Sequence, residues 1–386
     1  MPRSPSPPHV VVAGGGFAAA ELVLALRVLA QERVTLELIA PSPRLAYRPA
    51  ATGEAFGASK VQEFDLRELA EDAGATYRRD TVEAVAPTTS RLRLASGATA
   101  HYDAVVLATG ARAQAAVPGA ITYRDQRDSP AIVRMLAELR AGAISAVAFA
   151  APAGVTWTLP LYELALLTAR EINAHGLSAR VTLVTPECAP LEVFGPATSD
   201  ALGELLAEHG VFIEHSTRPG SVARGGLELA HGGLVPADRV IAVPRLMGRR
   251  LSGVPADWSG FVVTDEDGRV ENLPSVFAAG DMTRFPVKQG GLATQQADVI
   301  AAELARRAGV DVPREPARYI LRTQLFGTDG PLFLQAELDA QGRSIADGGA
   351  AAISTEAPWW PAAKLFGRHL SPWMATRARS AAGAAA

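Results

Sequence analysis

Five groups of residues in this chain have the types and spacing to do chemistry. Gly14, Gly15 and Gly16, with Phe17 and Ala19 behind them, form G-x-G-x-x-A between an apolar run (Val10, Val11, Val12) and a helical stretch with Ala19, Leu22, Leu26 and Leu29 on one face. Gly14 permits a tight turn, Gly16 lets backbone approach a pyrophosphate, and the small Ala19 lets helix pack close to strand. A helix N-terminus aimed at that turn favours phosphate, so strand, turn and helix together point to a dinucleotide site. The other four groups are Arg48, the pair Thr109 and Gly110, the pair Gly280 and Asp281, and Lys288 with Gly290 and Gly291.

These residues need elements to hold them. Val34 to Ile39 reads as the second strand of the same unit, but it ends in Ala40, Pro41 and Ser42, without the acidic residue that often grips a ribose there. Glu37 alternates with Leu36 and Leu38 and leans to solvent, which leaves Ser42 or backbone groups to replace the carboxylate. Arg48, in a loop of glycine and small residues, is either a surface charge or a fork aimed at a bound anion. Asp65 to Glu71 reads as a short helix, Thr76 to Val85 as a strand, and Arg91 to Leu94 with Tyr102 as a small β layer. His101 to Gly110 reads as a buried parallel strand ending in a glycine turn at Thr109 and Gly110.

A second strand and helix unit begins at Ala146, where another dinucleotide turn would be expected. Phe149 and Ala151 stand where glycine is needed, and Pro152 removes an N–H donor, so this unit lacks a good phosphate cradle. Arg180 to Pro186 is its next strand, Ser199 to His209 its next helix, and Arg239 to Pro244 its closing strand. The run Val270 to Ala279 then delivers Asp281 from the end of a short apolar strand, and a helix opens just past Gly290 and Gly291.

The 386 residues, 48% of them hydrophobic, suffice for two or three domains with a large core. With 37 Lys and Arg against 40 Asp and Glu, the charge balance does not favour a nucleic-acid partner and leaves a small-molecule site as the default. The proline-rich opening residues carry no apolar signal core, and Gly14 to Gly16, Glu21 and Arg27 break up the only run near membrane-spanning length, which points to a cytoplasmic enzyme. Cys188 is the only cysteine, so no intrachain disulfide or dithiol centre can form, and its setting between prolines suits a structural loop residue better than a nucleophile. The seven histidines show no metal-ligand spacing; His209 and His215 read as surface or packing residues.

Taken together, Gly14-x-Gly16-x-x-Ala19, Ala108-Thr109-Gly110 and Ala279-Gly280-Asp281 resemble the two-dinucleotide-domain flavoproteins of the pyridine nucleotide-disulfide oxidoreductase superfamily. Tyr47-Arg48-Pro49 and the stretch Lys288 to Asp298 are most similar to its sulfide:quinone oxidoreductase and type II NADH dehydrogenase branch. The resemblance implies an α/β fold of two Rossmann-like three-layer domains with a small C-terminal module. The FAD domain would span 1–128 and 255–325, the degenerate NAD(P)-type domain 129–254, and the C-terminal module 326–386. It implies non-covalent FAD in the first site. Gly14, Gly15, Gly16, Phe17 and Ala19 would hold the pyrophosphate, Arg48 would join the cofactor-binding set, and the main chain of Val82 would meet the adenine. Thr109 and Gly110 would pass near the pyrophosphate and ribityl, and Gly280 and Asp281 would hold a ribityl hydroxyl. The helix at Gly291 and the Lys288 charge would favour anionic reduced flavin, which makes Lys288 the candidate catalytic residue.

Two departures limit what the family function implies. Cys188 alone cannot supply the paired cysteines of sulfide:quinone oxidoreductases and disulfide reductases. The second motif is degraded where type II NADH dehydrogenases bind NADH, and the glutamate they carry near the flavin falls at Thr156. The expected function is therefore transfer of electrons from an unidentified small-molecule donor, through FAD, to a quinone or similar acceptor. The alternatives are an NAD(P)H:acceptor reductase and a non-catalytic flavin-binding sensor or scaffold. Residues 358–379 mix Trp359, Trp360, Phe366 and Trp373 with Lys364, Arg368, Arg377 and Arg379. Such a segment suits peripheral contact with the inner face of a membrane, or packing over the flavin domain or against a second subunit in a homodimer. Pro361 and Pro372 interrupt any long helix and favour packing.

Overall fold

The computed structural model describes residues 6–384, apart from 328 and 346–351. One five-stranded sheet has the spatial order Val276–Ala278, Ala104–Leu107, His9–Ala13, Thr35–Ala40, Thr76–Arg79, with every pairing parallel. Its middle strand carries Val10, Val11, Val12 and Ala13 buried on both faces, as a strand covered by helices on each side requires. On one side, helix Phe17–Ala30 lies against helix Gly290–Arg307, where Ala19, Ala293, Ala297 and Ala301 share one core and their small side chains let the helices close up.

A second five-stranded parallel sheet runs Ile121–Thr122, Arg239–Ala242, Ala146–Ala150, Arg180–Val184, Val211–Glu214. It repeats the plan of the first: three consecutive strands, then a three-stranded antiparallel meander, then a strand that returns beside the first. The meanders are Val82–Ala86, Arg91–Leu94, Thr99–His101 and Pro219–Ala223, Gly226–Leu229, Leu234–Pro236. An antiparallel ribbon, Ala111–Gln114 against Arg245–Gly248, lies at the crossings between the two halves. Tyr319–Leu325, Leu332–Leu338 and Ala352–Ser354 form an antiparallel sheet, and helix Leu370–Ala384 follows.

The two Rossmann-like α/β halves match the expected fold class, with three local corrections. The strand expected over 76–85 divides into Thr76–Arg79 and Val82–Ala86, because the Asp80 carboxylate accepts from the Thr81 N–H (2.8 Å) and the Ser96 hydroxyl (2.5 Å) and turns the chain, and the second piece joins the meander. The second sheet already includes Ile121 and Thr122, ahead of the expected boundary at 129. The helix expected from Ser199 begins at Pro196, whose missing N–H suits a first turn.

The tryptophan-rich segment packs onto the protein. Trp359 donates from Nε1 to the Ala363 carbonyl (3.0 Å) and stands edge-on to Phe333, while Trp373 donates to Asp72 (2.7 Å) and lies against Phe64. Trp360 is its one strongly exposed tryptophan. Among the described residues no helix is long and apolar enough to cross a membrane.

Candidate functional site

The three glycine motifs, spread over some 270 residues of sequence, meet at the carboxyl ends of three adjacent strands. Gly14 follows His9–Ala13, Thr109 and Gly110 follow Ala104–Leu107, and Gly280 and Asp281 follow Val276–Ala278. Ligands of open parallel sheets bind at that edge. Gly14 sits at φ +141°, and a Cβ there would be driven into the Ala108 carbonyl, so only glycine fits. Gly16 is different in kind. It is the N-cap of helix Phe17–Ala30, no side chain caps it, and a Cβ there would meet nothing. Its open face and the uncapped N–H groups beyond it are what a pyrophosphate needs.

The Phe17 ring turns away, edge-on to Tyr47 (6.1 Å) and against Gly290, so what it offers the turn is its backbone N–H. Ala19 is buried in the helix pair. Thr109 directs its hydroxyl to Met282 Sδ (3.6 Å), and Gly110 is at φ +68° with open space beside it. Val82 begins the first meander, buried, just beyond the end of strand Thr76–Arg79.

Asp281 and Lys288 form the charged part of the site. Among the described residues none donates a hydrogen bond to the Asp281 carboxylate. Burial pushes its carboxyl above the usual range, against the opposing pull of Lys288 and Arg48. A half-buried carboxylate at a strand end that accepts from no described residue is free to accept from the hydroxyl-rich chain of a flavin dinucleotide. Lys288 donates to the Thr283 carbonyl and holds its Nζ 3.9 Å from the centre of the Phe261 ring. Burial lowers its ammonium to about 8, although Asp281 and Asp257 pull the other way. Arg48 is exposed on a single helical turn, and its charge reaches both Asp281 and Asp125. Gln289 caps the helix behind Gly290 through the N–H of Leu292 (2.9 Å), and the Phe366 carbonyl lies close to Gly291, so this helix end is partly satisfied from within the chain.

The second Rossmann turn is built otherwise. Three residues separate strand from helix in the first site, Gly14 to Gly16, whereas eight, Ala151 to Thr158, do so in the second. Thr158 and Leu159, which open the second helix, are each 1% exposed. The carboxylate of Glu187 lies beside that first turn and accepts from the hydroxyls of Thr158 (2.9 Å), Tyr162 (2.9 Å) and Thr185 (2.7 Å). Thus the chain's own carboxylate stands by the helix end that would otherwise receive a phosphate, and it follows the strand whose end carries the ribose-gripping acid in a nucleotide domain. Burial raises this carboxyl, and the three hydroxyls oppose the rise. Thr156, where the family glutamate was expected, ties the loop to the Pro286 carbonyl (2.7 Å). Cys188 is exposed and free.

Two buried charged groups escaped the sequence reading. Glu163, 0% exposed, pairs with Lys364 through both carboxylate oxygens and accepts from Thr52 Oγ1 (2.7 Å) and Phe326 N–H (2.9 Å). Glu21, equally buried in the first helix, accepts from the N–H groups of His369 (2.7 Å) and Leu370 (2.8 Å), and so caps helix Leu370–Ala384. It also contacts Asp298, whose carboxyl burial and Glu21 together push up to about 8. The available signal was a lone acid in each apolar helix, Leu159 to Leu167 and Phe17 to Leu26.

The comparisons with known proteins agree with this architecture. The chain is 29% identical over 278 residues to the ferredoxin–NAD(+) reductase component of the biphenyl dioxygenase system of Paraburkholderia xenovorans, covering 65% of this chain and 64% of that one. It is 27% identical to an NADH dehydrogenase-like protein of Mycobacterium tuberculosis (54% and 56% covered) and to the sulfide-quinone reductase of Aquifex aeolicus (84% and 83% covered). The chain thus spans less than two thirds of the first two relatives. The solved sulfide:quinone oxidoreductase from Aquifex aeolicus superposes with a TM-score of 0.76 at 21% identity, covering 85% of this chain and 83% of that one, which shows the shared fold. Residues 8–297 match the pyridine nucleotide-disulphide oxidoreductase family, and on that match the chain belongs to this family of FAD-binding oxidoreductases.

Proposed function

We propose that the protein is an FAD-dependent oxidoreductase that passes electrons from a donor other than a nicotinamide nucleotide to a quinone or comparable acceptor. The observation that carries this reading is the contrast between its two Rossmann turns. The first is open and uncapped, with the half-buried Asp281 carboxylate beside it; the second is long and closed by Glu187. FAD, when bound, supplies the two-electron chemistry. The division 1–128 with 255–325, less the Ile121–Thr122 strand that joins the second sheet, holds it: Gly14, Gly15, Gly16 and Phe17 offer backbone N–H groups to the pyrophosphate, Val82 offers main chain to the adenine, and Asp281 accepts from a ribityl hydroxyl. Thr109 and Gly110 let the backbone approach, Gly280 fits against Ala293 and Ala18 where a Cβ would crowd, Ala19 lets the helices pack closely, Gly291 opens the helix aimed at the flavin, and Arg48 and Lys288 supply positive charge. Lys288, fixed by the Thr283 carbonyl and Phe261, is the group placed to stabilise negative charge on reduction.

The similarity to a ferredoxin–NAD(+) reductase and an NADH dehydrogenase-like protein favours a second reading, an NAD(P)H:acceptor reductase. Anaerobic stopped-flow of the FAD-loaded protein at 450 nm separates the two. The expected result is flavin that NADH and NADPH leave oxidised. Rapid bleaching by either establishes the second reading and removes the first. Vesicle flotation of wild type against Trp360→Ala tests contact of the 358–379 segment with a bilayer.

A further inference from the structure

We propose that the ribbon between the two Rossmann halves, with the turn that carries Trp258, is the docking surface for an acidic electron-carrier protein. In the antiparallel ribbon Arg112 lies opposite Met247 and Gln114 opposite Arg245. Directly opposed residues project to one face, so Arg112, Gln114, Met247 and Arg245 share it. Arg249 and Arg250 follow directly on the ribbon's last residue, Gly248, and Arg284 follows the Asp281 turn. All five arginines are exposed, and among the described residues none is ion-paired to a carboxylate, in a chain whose net charge is −3. Arg245 and Arg250 are held only by backbone: Arg245 donates to the Ala153 carbonyl (3.1 Å), Arg250 to those of Asp257 (2.7 Å) and Trp258 (2.9 Å). A cluster of like charges repels itself until an anionic partner arrives.

Trp258 lies next to Arg250, which donates to its carbonyl, on a turn that also carries Asp257. It occupies a closed turn in which Gly260 N–H returns to the Asp257 carbonyl (3.0 Å), and Gly248 N–H holds that turn to the ribbon through the Ser259 carbonyl (3.0 Å). The backbone is fixed while the indole is 88% exposed. Tryptophan and arginine are the residues that dominate protein interfaces, and an indole with two side-chain torsions on a fixed backbone presents a large contact area at a small entropy cost.

The surface adjoins the flavin position from two sides, which selects an electron carrier among acidic partners. The ribbon starts at Ala111, next to Thr109 and Gly110, and Phe261, three residues after Trp258, carries the Lys288 ammonium on its ring. Its main face is a ribbon without a glycine cradle or an open helix N-terminus, which argues against a nucleotide. The inference rests on the flavin assignment above.

The test is calorimetric binding of the full-length, FAD-loaded protein to three probes: a [2Fe–2S] ferredoxin, a flavodoxin and a small acidic cytochrome. Titrations run at about 20 and 200 mM salt, on either side of the screening length that matters at a protein surface. Binding of at least one probe is expected, weakened by salt. The combined variant Arg112→Gln, Arg245→Gln, Arg249→Gln, and separately Trp258→Ala, are each expected to weaken it by about tenfold or more. Flavin content and dithionite reduction of the same samples stay unchanged. No binding to any probe at low salt overturns the proposal, as does binding that the variants do not alter. Variants that weaken NADPH binding but not carrier binding also overturn it and assign the arginines to a nucleotide. Loss of flavin from wild type, by contrast, counts against the flavin reading, because the binding titration is read independently of it.

Discussion

Glycines at neighbouring positions do different work here, and substitution separates the two jobs. Gly14→Ala places a Cβ against the Ala108 carbonyl at a φ that other residues rarely adopt, at a cost of roughly 1–3 kcal/mol. Apo-protein stability in urea and FAD retention should both fall. Gly16→Ala meets no atom of the chain, so apo stability should stay within about 0.5 kcal/mol while FAD affinity drops. Equal loss of stability in the two variants would contradict this division. Lys288 gives a second expectation at the same scale. Its ammonium loses its proton as pH rises through about 8, so a rate that depends on its charge should fall across that value, and Lys288→Met should flatten the profile. The pH dependence of flavin reduction by dithionite or a competent donor measures it. Spacing made the glycines legible in the sequence, because a glycine turn between strand and helix announces itself locally, whereas Lys288 was reached only through the family resemblance. The three-dimensional partner that makes Gly14 indispensable, the Ala108 carbonyl, lies 94 positions away and left no local trace.

At the scale of elements, the strands and helices around the first site were readable from apolar periodicity, but the strand at 76–85 was not. Its residues carry one continuous strand pattern, and only the Asp80 carboxylate, bonded to Thr81 N–H and the Ser96 hydroxyl, divides it. The loop Ala151–Thr158 was legible as a poor cradle from Pro152 and the missing glycines; that Glu187 closes it was not, since Glu187 arrives from another strand. The Glu163–Lys364 pair likewise joins residues 201 apart. Lys364→Met would leave a buried carboxylate without its cation and should cost about 3–5 kcal/mol in urea unfolding. Adding Glu163→Gln should recover a large part of that loss. If the single and double variants are equally unstable, the pairing is not what matters there.

For the whole molecule, two carboxyls buried together give stability a pH dependence. Asp298 has its folded value raised to about 8, against 3.8 as the ordinary value. Between these the folded state holds a proton that the unfolded chain has released, so stability should fall as pH rises through that window and level off above it. Asp298→Asn should remove this contribution to the slope, read from urea midpoints at pH 5, 7 and 9; an unchanged slope would show that the Glu21 and Asp298 carboxyls do not share a proton. The two Rossmann-like halves were legible in the sequence from their strand and helix units, but the second meander over 219–236 was not, because its short strands lack a strong apolar alternation.

Glu163 and Glu21 lie in helices that are made early, yet both wait for partners near position 364 to 370. During synthesis the amino-terminal parts fold first. Each nascent chain therefore passes through an interval in which both Rossmann sheets have emerged but Lys364 and the segment after it have not. In that interval the first helix lacks the cover that His369 and Leu370 later provide. Ribosomal pausing before codon 364 should lengthen this stage and, with it, the time during which the newborn protein can be cut by proteases at its unsealed helices.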